Sequence, residues 1–408
     1  MSCILQWNCR GLRANLPELK LLISKFAPIA VCLSETQLAD DKLIVDRNYL
    51  SYNKNNIATD GRACGGVNML VHKSIPHSEI KLNTILQAVA VKLTIHKVIT
   101  LCSLYLSPSH ALDNIELNNL LQQLPPPVLL LGDFNAHSPV WGCQNLNNRG
   151  KQIEDFMSSN NLCILNGKQH TYIHPATGSS SSIDLSICSP AMMPQFKWDV
   201  HDDLCGSDHF PVVIRLTKSL PTKIPERWKL NKADWTTFTA LCKEQLNEQT
   251  TDSIEQFTNN LISICNKLSQ KRQRKLRKMN PPWFTEVCRQ SVKERQRALR
   301  QFQANNTTAN LNLFKLQRAR TRKTIRENKR SSWRAYVNKL NTNTTSKEVW
   351  SMVRKFNATE SPNGINHINL NGNAITDIKE IADTIASSFS TASSSDSSYS
   401  NKFKLHKN

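Results

Sequence analysis

Val128 to Ser138 reads VLLLGDFNAHS, an apolar strand that stops abruptly on a glycine, a carboxylate and a carboxamide. A run of Val and Leu suits a strand buried on both faces, which delivers its last residues to the sheet edge with little freedom. Loops just past such edges are where chemistry tends to sit. Asp133 can accept a proton or bind a cation. Asn135, two residues on and therefore on the same side, can donate hydrogen bonds to a phosphate oxygen. Gly-Asp-x-Asn is also good turn chemistry, so the segment alone leaves a plain turn open.

Similar strand ends recur along the chain. ILQWN closes on Asn8, AVCLSE closes on Glu35, and TLCSLYL carries Tyr105. SIDLSI holds Asp184 inside an apolar run, where an unpaired carboxylate would be costly. GSDHFPVV sets Asp208 and His209 just ahead of a final strand. Each has a bland alternative: a capping Asn8, a solvated Glu35, a core Tyr105, a structural ion-pair Asp184, a surface Asp-His turn. Six such ends in one order are much harder to dismiss as coincidence.

At 408 residues the chain has the length of two domains rather than one. Its charge is uneven. Residues 1–224 carry 19 Lys and Arg against 17 Asp and Glu, which leaves 33 against 15 of the totals of 52 and 32 for residues 225–408. That asymmetry gives the second half much of the affinity for a polyanion. The twelve cysteines are scattered without a C-x-x-C pair, which argues against structural zinc and for free thiols in a reducing compartment. MSCILQWN enters a strand directly, so neither a signal peptide nor a membrane span is expected. GRACGG at 61–66 reads as a loop or hairpin before a strand at Val67–Val71. It lacks the spacing and lysine of a P-loop, so no nucleotide cofactor is expected.

Residues 4–216 alternate apolar strands with helical patterns at Leu16–Lys25, Leu112–Leu124 and Gly150–Asn160. The prolines at 125–127 stop the second of these just before the Val128 strand. TGSSSS at 177–182 reads as a polar loop beside Asp184. Beyond Pro221 and Pro225 the pattern becomes helical and basic. KRQRKLRK supplies Lys271, Arg272, Arg274, Lys275, Arg277 and Lys278 as candidate nucleic-acid contacts. Arg318, Arg320, Arg322, Lys323, Arg326, Lys329, Arg330 and Arg334 follow on one long helix. Bases spread around a helix contact phosphates without reading sequence, and a solvated helix or nuclear-localisation run is the alternative. Trp283, Phe302, Phe314 and Trp333 read as the packing face of antiparallel helices. Ser387–Ser400 is serine-rich and expected to be disordered.

The ordered set of motifs resembles the endonuclease–exonuclease–phosphatase superfamily over residues 1 to about 218. Within it the chain most resembles the endonuclease of jockey-type non-long-terminal-repeat retrotransposons, through QWNCRGL, LSETQL, LYLSPS, LLGDFNAHSPVWGC, SSIDLSI and GSDHFPVV. KADW and PPWFTEVCRQSVKERQRAL continue the likeness into the region that joins nuclease to reverse transcriptase. The resemblance implies an α/β fold, a four-layer sandwich of two stacked mixed β-sheets flanked by helices, followed by a mostly helical basic region. It implies a nuclease domain at 1–218, a linker region at 219–386 and a disordered tail at 387–408. No Tyr-x-Asp-Asp pair follows, so the polymerase is expected to be missing, in a fragment or a truncated element copy.

The resemblance also implies roles. Glu35 would bind Mg²⁺, with Mn²⁺ as the alternative, helped by Asn8 and by Asp208, which could instead fix its loop. Asp133 would align or deprotonate the attacking water. Asn135 and Tyr105 would hold phosphate oxygens, and a protonated His209, oriented by Asp184, would oppose charge growing on the phosphorus centre. Many relatives carry a carboxylate or asparagine two residues after the first Asn; here that place is Arg10, which argues against a second metal. Duplex DNA is the expected partner, with element RNA as a second partner of the basic region, in a nuclear, intracellular setting. An abasic-site endonuclease, another phosphodiesterase of the superfamily, or an inactive nucleic-acid-binding remnant are the competing readings.

Overall fold

The computed structural model describes residues 2–40, 45–217, 227–228, 234–246, 253–268, 271–272, 281–356, 368–370, 373–375 and 377–393. The α/β part begins with β1 (Cys3–Asn8), α1 (Leu12–Phe26), β2 (Ala30–Ser34), β3 (Tyr49–Lys54) and β4 (Val67–His72). It continues through β5 (His77–Ile80), β6 (Gln87–Thr94), β7 (Val98–Tyr105), α2 (Asn114–Gln122), β8 (Val128–Asp133) and α3 (Asn148–Ser159). It ends with β9 (Cys163–Ile164), β10 (Tyr172–Ile173), β11 (Ser180–Ser181), β12 (Asp184–Cys188), β13 (Phe196–Val200) and β14 (Val212–Leu216).

Two six-stranded sheets result, in the orders β13-β14-β1-β2-β4-β3 and β5-β6-β7-β8-β12-β9. Each is antiparallel except for one parallel pair, β1 with β2 and β7 with β8. A parallel pair needs a crossover, and α1 and α2 supply the two. The three expected helices fall where α1, α2 and α3 form. The first starts earlier than the periodicity suggested, because Gly11 at φ +95° lets the chain turn straight out of β1.

The layers follow from period-two alternation. Ile4, Cys32, Met69, Leu101, Leu129 and Leu131 meet between the sheets. Leu5, Val31 and Leu33 face the other way, under Leu12, Leu19 and Leu22 of α1. Leu104 and Leu130 lie under Leu117 and Leu120 of α2 and Ile153 and Phe156 of α3. Helix, sheet, sheet, helix is the four-layer sandwich expected.

The same alternation puts Gln6 and Asn8 in the seam on β1, Asp133 on β8, and Asp184 and Ser186 on β12. Gln6 bridges the sheets there. Its Nε2 donates to Gly132 O at 3.0 Å and Leu185 O at 3.1 Å, and its Oε1 accepts from Ser186 Oγ at 2.8 Å. Every polar atom of that buried amide is used, which is what burial demands. Gly132 cannot be another residue, since a Cβ there would lie 1.7 Å from Leu104 O across the parallel pair.

Residues Pro221–Lys278 form a separate unit, while Met279–Asn408 belong with Met1–Leu220. The separate unit contains α4 (Trp235–Gln245) and α5 (Ile254–Leu268). Its short strands β15 (Arg227–Trp228) and β16 (Lys271–Arg272) pair antiparallel. Lys271 and Arg272 therefore lie on a strand; Arg274, Lys275, Arg277 and Lys278 fall outside the described residues.

The following helices are α6 (Glu286–Ala304), α7 (Thr308–Val337) and α8 (Ser346–Phe356), and they group with the sandwich rather than with Pro221–Lys278. Ala298, Leu299 and Phe302 of α6 and Leu311 and Phe314 of α7 share an apolar cluster with Ile173, Leu204 and Phe210 of the sandwich. Arg295 enters between them, fully buried, with Nη1 donating to Glu18 Oε1 at 2.6 Å and Nη2 to Asp203 Oδ2 at 2.7 Å. Phe302 and Phe314 thus pack on the α/β sandwich as well as on each other's helices. Trp283 is buried against Phe356, as a packing residue should be, and Trp333 is 40% exposed. A further helix, α9 (Ile378–Ser393), follows the short strands β17 (Ile368–Leu370) and β18 (Asn373–Ile375). It runs through the first seven residues of the segment expected to be disordered. Ile378, Ile381, Ile385 and Phe389 recur at helical spacing and carry the helix into the serines. Residues 394–408 lie outside the described residues.

Candidate active site at the seam of the two sheets

β1 and β2 run parallel and end together at Asn8 and Ser34; β7 and β8 end together at Tyr105 and Asp133. β12 runs antiparallel to β8 and starts opposite its end, Asp184 facing Asp133. β14 runs antiparallel to β1, so the turn before it, with Asp208 and His209, returns to the same edge. Topology alone therefore gathers the expected residues.

Asp133 is at the centre. Asn8 Nδ2 donates to its Oδ2 at 2.8 Å, the Asn135 backbone N–H to its Oδ1 at 3.0 Å, and Asn135 Nδ2 to Oδ2 at 3.3 Å. His209 Nε2 stands 3.9 Å from Oδ2, while His209 Nδ1 and Asp184 Oδ2 are 2.8 Å apart. Asp133, Asp184 and His209 are all buried. Burial pushes the Asp133 carboxyl upward, the His209 charge opposes this, and the charges of Asp184 and Glu35 add to the rise. For His209 burial works against the imidazolium, and the carboxylates of Asp184, Asp133 and Asp208 outweigh it. The net direction for His209 is upward, which favours the imidazolium, with Nδ1 paired to Asp184 and Nε2 facing Asp133.

Ligand atoms of Asp133, Asp184 and His209 lie within 4.8 Å of one another. With His209 protonated the imidazole has no lone pair to offer a metal ion, and the trio is then a chain of charged and hydrogen-bonded partners. Glu35 is a further carboxylate within electrostatic reach of Asp133. Its backbone sits at φ +49°, and the Asn135 backbone at φ +50°, a left-handed conformation that costs free energy in a non-glycine residue. Glu35 is braced by its neighbours: Gly11 N–H donates to Glu35 O at 2.8 Å, and Thr36 and Gln37 N–H donate to Gly66 and Gly65 O. The GRACGG loop thus props the Glu35 turn.

Tyr105 OH donates to Glu35 Oε1 at 3.0 Å. Burial and then the Glu35 and Asp133 charges push the phenol up, so it remains a neutral donor. Oxygen atoms of Glu35, Asp133 and Asn8 suit a hard divalent cation that keeps several waters. Burial is the main cause of the rise at Asp133, and the added repulsion from Asp184 and Glu35 is what such a cation would relieve. Asp208 is less free. Its Oδ2 pairs with Arg10. That arrangement ties the loop to Arg10.

Four contributors gave little sign of themselves. Ser207 Oγ donates to Asn8 O at 2.8 Å, locking the His209 turn to β1. The Thr171 hydroxyl accepts from Asp184 N–H at 3.1 Å. The Tyr172 ring lies 4.6 Å from that of His209. Arg149 lies within electrostatic reach of Asp133 and Tyr105. Small hydroxyls and a lone arginine occur everywhere in the chain. Only the aromatic between two histidines, HTYIHP, was distinctive.

Residues 99–213, from β7 into β14, match the family model described as endonuclease-reverse transcriptase. The match includes Tyr105, Asp133, Asn135, Asp184, Asp208 and His209. Among curated relatives, a probable RNA-directed DNA polymerase from transposon X-element of Drosophila melanogaster is 24% identical over 64% of this chain and 30% of its own length. The RNA-directed DNA polymerase from mobile element jockey of Drosophila funebris is 25% identical over 54% of this chain and 24% of its own. The chain thus spans about a quarter to a third of the relatives it matches. Among solved structures, the endonuclease domain of TRAS1, a telomere-specific non-LTR retrotransposon, overlays 53% of this chain and 99% of its own at 22% identity and a TM-score of 0.46. An AP endonuclease from Archaeoglobus fulgidus overlays 53% and 100% at 14% identity and a TM-score of 0.44. Among the described residues no helix is long and apolar enough to cross a membrane.

Proposed function

We propose that the chain is a Mg²⁺-dependent DNA endonuclease that nicks one strand of a duplex and leaves a 3′-hydroxyl for a reverse transcriptase to extend. The supporting observation is the Asp133 carboxylate, held by Asn8 and Asn135 and set 3.9 Å from a His209 that Asp184 keeps charged. Asp133 accepts the proton of a water attacking phosphorus. The amides of Asn8 and Asn135 fix the direction of that carboxylate. His209 donates from Nε2 to an oxygen on which negative charge accumulates, a contribution of roughly 3 kcal/mol for one such donor. Tyr105 orients Glu35. Glu35 and Asn8 would hold the cation, which would supply charge neutralisation and a polarised water.

The test is incubation of the full chain with supercoiled plasmid and Mg²⁺, with and without EDTA, followed by primer extension from the product. Open circles whose nicks a polymerase extends directly support the proposal. Linear product from the outset, extension only after phosphatase treatment, or cleavage confined to abasic duplex would contradict it.

A further inference from the structure

Helix α7 does more than pack. Arg318 Nη2 donates to Gly206 O at 2.7 Å, and Arg322 Nη2 donates to Asn15 Oδ1 at 3.0 Å and reaches Gly206 O at 3.5 Å. Gly206 sits two residues before Asp208 and three before His209, so both guanidinium groups lie against the turn that builds the site. Arg10, whose side chain is 49% exposed, meets the same turn at Asp208. Burial lowers the Arg318 pKa most, the Asp208 carboxylate opposes this, and the charges of Arg322, Arg10 and Arg295 add to the fall, so these groups lie within electrostatic reach of Arg318.

The balance of charge is unusual. Asp208 is taken by Arg10, and among the described residues neither Arg318 nor Arg322 pairs with a carboxylate. Arg322 is exposed, and each of the two is anchored mainly through one corner of a five-donor fork. Clustered like charges in that setting destabilise one another unless an anion joins them. Planar guanidinium forks match phosphate oxygens in two-point contacts.

We infer that Arg10, Arg318 and Arg322 form a phosphate clamp for duplex DNA beside the cleavage site, with two of its three members supplied by the helical region. The inference rests on the nuclease reading and adds to it the residues that hold the backbone flanking the cleaved bond. The substrate surface is then incomplete in the α/β sandwich alone.

The experiment is fluorescence anisotropy with a labelled short duplex in EDTA, titrated with the full chain over a range of NaCl concentrations. Arg322→Ala should weaken binding about tenfold and lower the slope of log Kd against log salt by about one. Arg322→Lys should keep the slope and lose part of the affinity, because it keeps the charge without the fork. Lys323→Ala removes the same charge from the same helix, away from the cluster, where Lys323 pairs with Glu327. It should change Kd by about twofold or less. An unchanged melting temperature for Arg322→Ala separates binding from folding. Equal losses in Arg322→Ala and Lys323→Ala, an unchanged salt slope, or a loss seen with duplex RNA but not duplex DNA would each overturn the clamp. EDTA excludes cleavage from this readout. A chain that binds through Arg322 yet never nicks would fail the functional proposal and leave the clamp standing.

Discussion

The sandwich and the helical pair α6–α7 handle charge in opposite ways. In the sandwich, charged groups are few and nearly balanced, and those in the seam are buried with partners, as Asp184 with His209 and Asp133 with Asn8. On α7 most cations are exposed, and Arg318 and Arg322 reach the sandwich through carbonyl and amide oxygens rather than carboxylates. Buried charge of the first kind sets geometry and protonation; surface charge of the second kind draws and holds an anion. Arg295 breaks the pattern. It sits in the basic helices but is buried like a group of the sandwich, between Glu18 and Asp203. That exception joins the two regions into one unit.

The largest effects should come from the buried seam. His209→Ala in the full chain should slow plasmid nicking by roughly 10²–10³-fold. Arg322→Ala should leave the rate at saturating DNA nearly unchanged and act through affinity. A rate loss in Arg322→Ala that matched His209→Ala would erase the contrast between the regions.

Next in size is the exception itself. Arg295→Ala leaves Glu18 and Asp203 facing each other without their cation and should cost roughly 3–5 kcal/mol in urea unfolding. Replacing all three by apolar residues of similar volume should recover most of that loss. A cost near zero for Arg295→Ala would show that α6 is only loosely associated with the sandwich.

Phe302→Ala tests the apolar half of the same joint. The Phe302 ring lies so close to the 174–179 loop that a Cβ on Gly178 would come within 2.6 Å of it. Truncation should cost roughly 3 kcal/mol or more. Nicking at low temperature, where the chain stays folded, should persist. Ser207→Ala is the smallest, about 1 kcal/mol for one buried hydrogen bond to Asn8 O, with a modest loss of nicking rate.

The sandwich was legible because strands with period-two alternation write their topology into the sequence, and a polar residue at an apolar strand's end has few places to go. Asn8, Tyr105, Asp133 and Asp184 all stood out in this way. Glu35 stood out too, but the two glycines that brace it did not, since GRACGG reads equally as a free loop. Arg295 was not legible. In QSVKERQRALR it is one cation among several on a helix, and its partners lie 277 and 92 residues away. In helix α9 an apolar spacing at helical period continues into the first residues of the serine-rich segment.

Side chains from both sheets must act as one unit if the seam is the reacting centre, and Asp133 and His209 come from opposite sheets. Single-turnover nicking by Asp133→Ala, His209→Ala and the double variant tests this most directly. The double variant should be scarcely slower than the slower single variant, because either loss already disables the shared step. Losses that multiply would mean that the two residues contribute independently, and the account of a single reacting centre would be wrong.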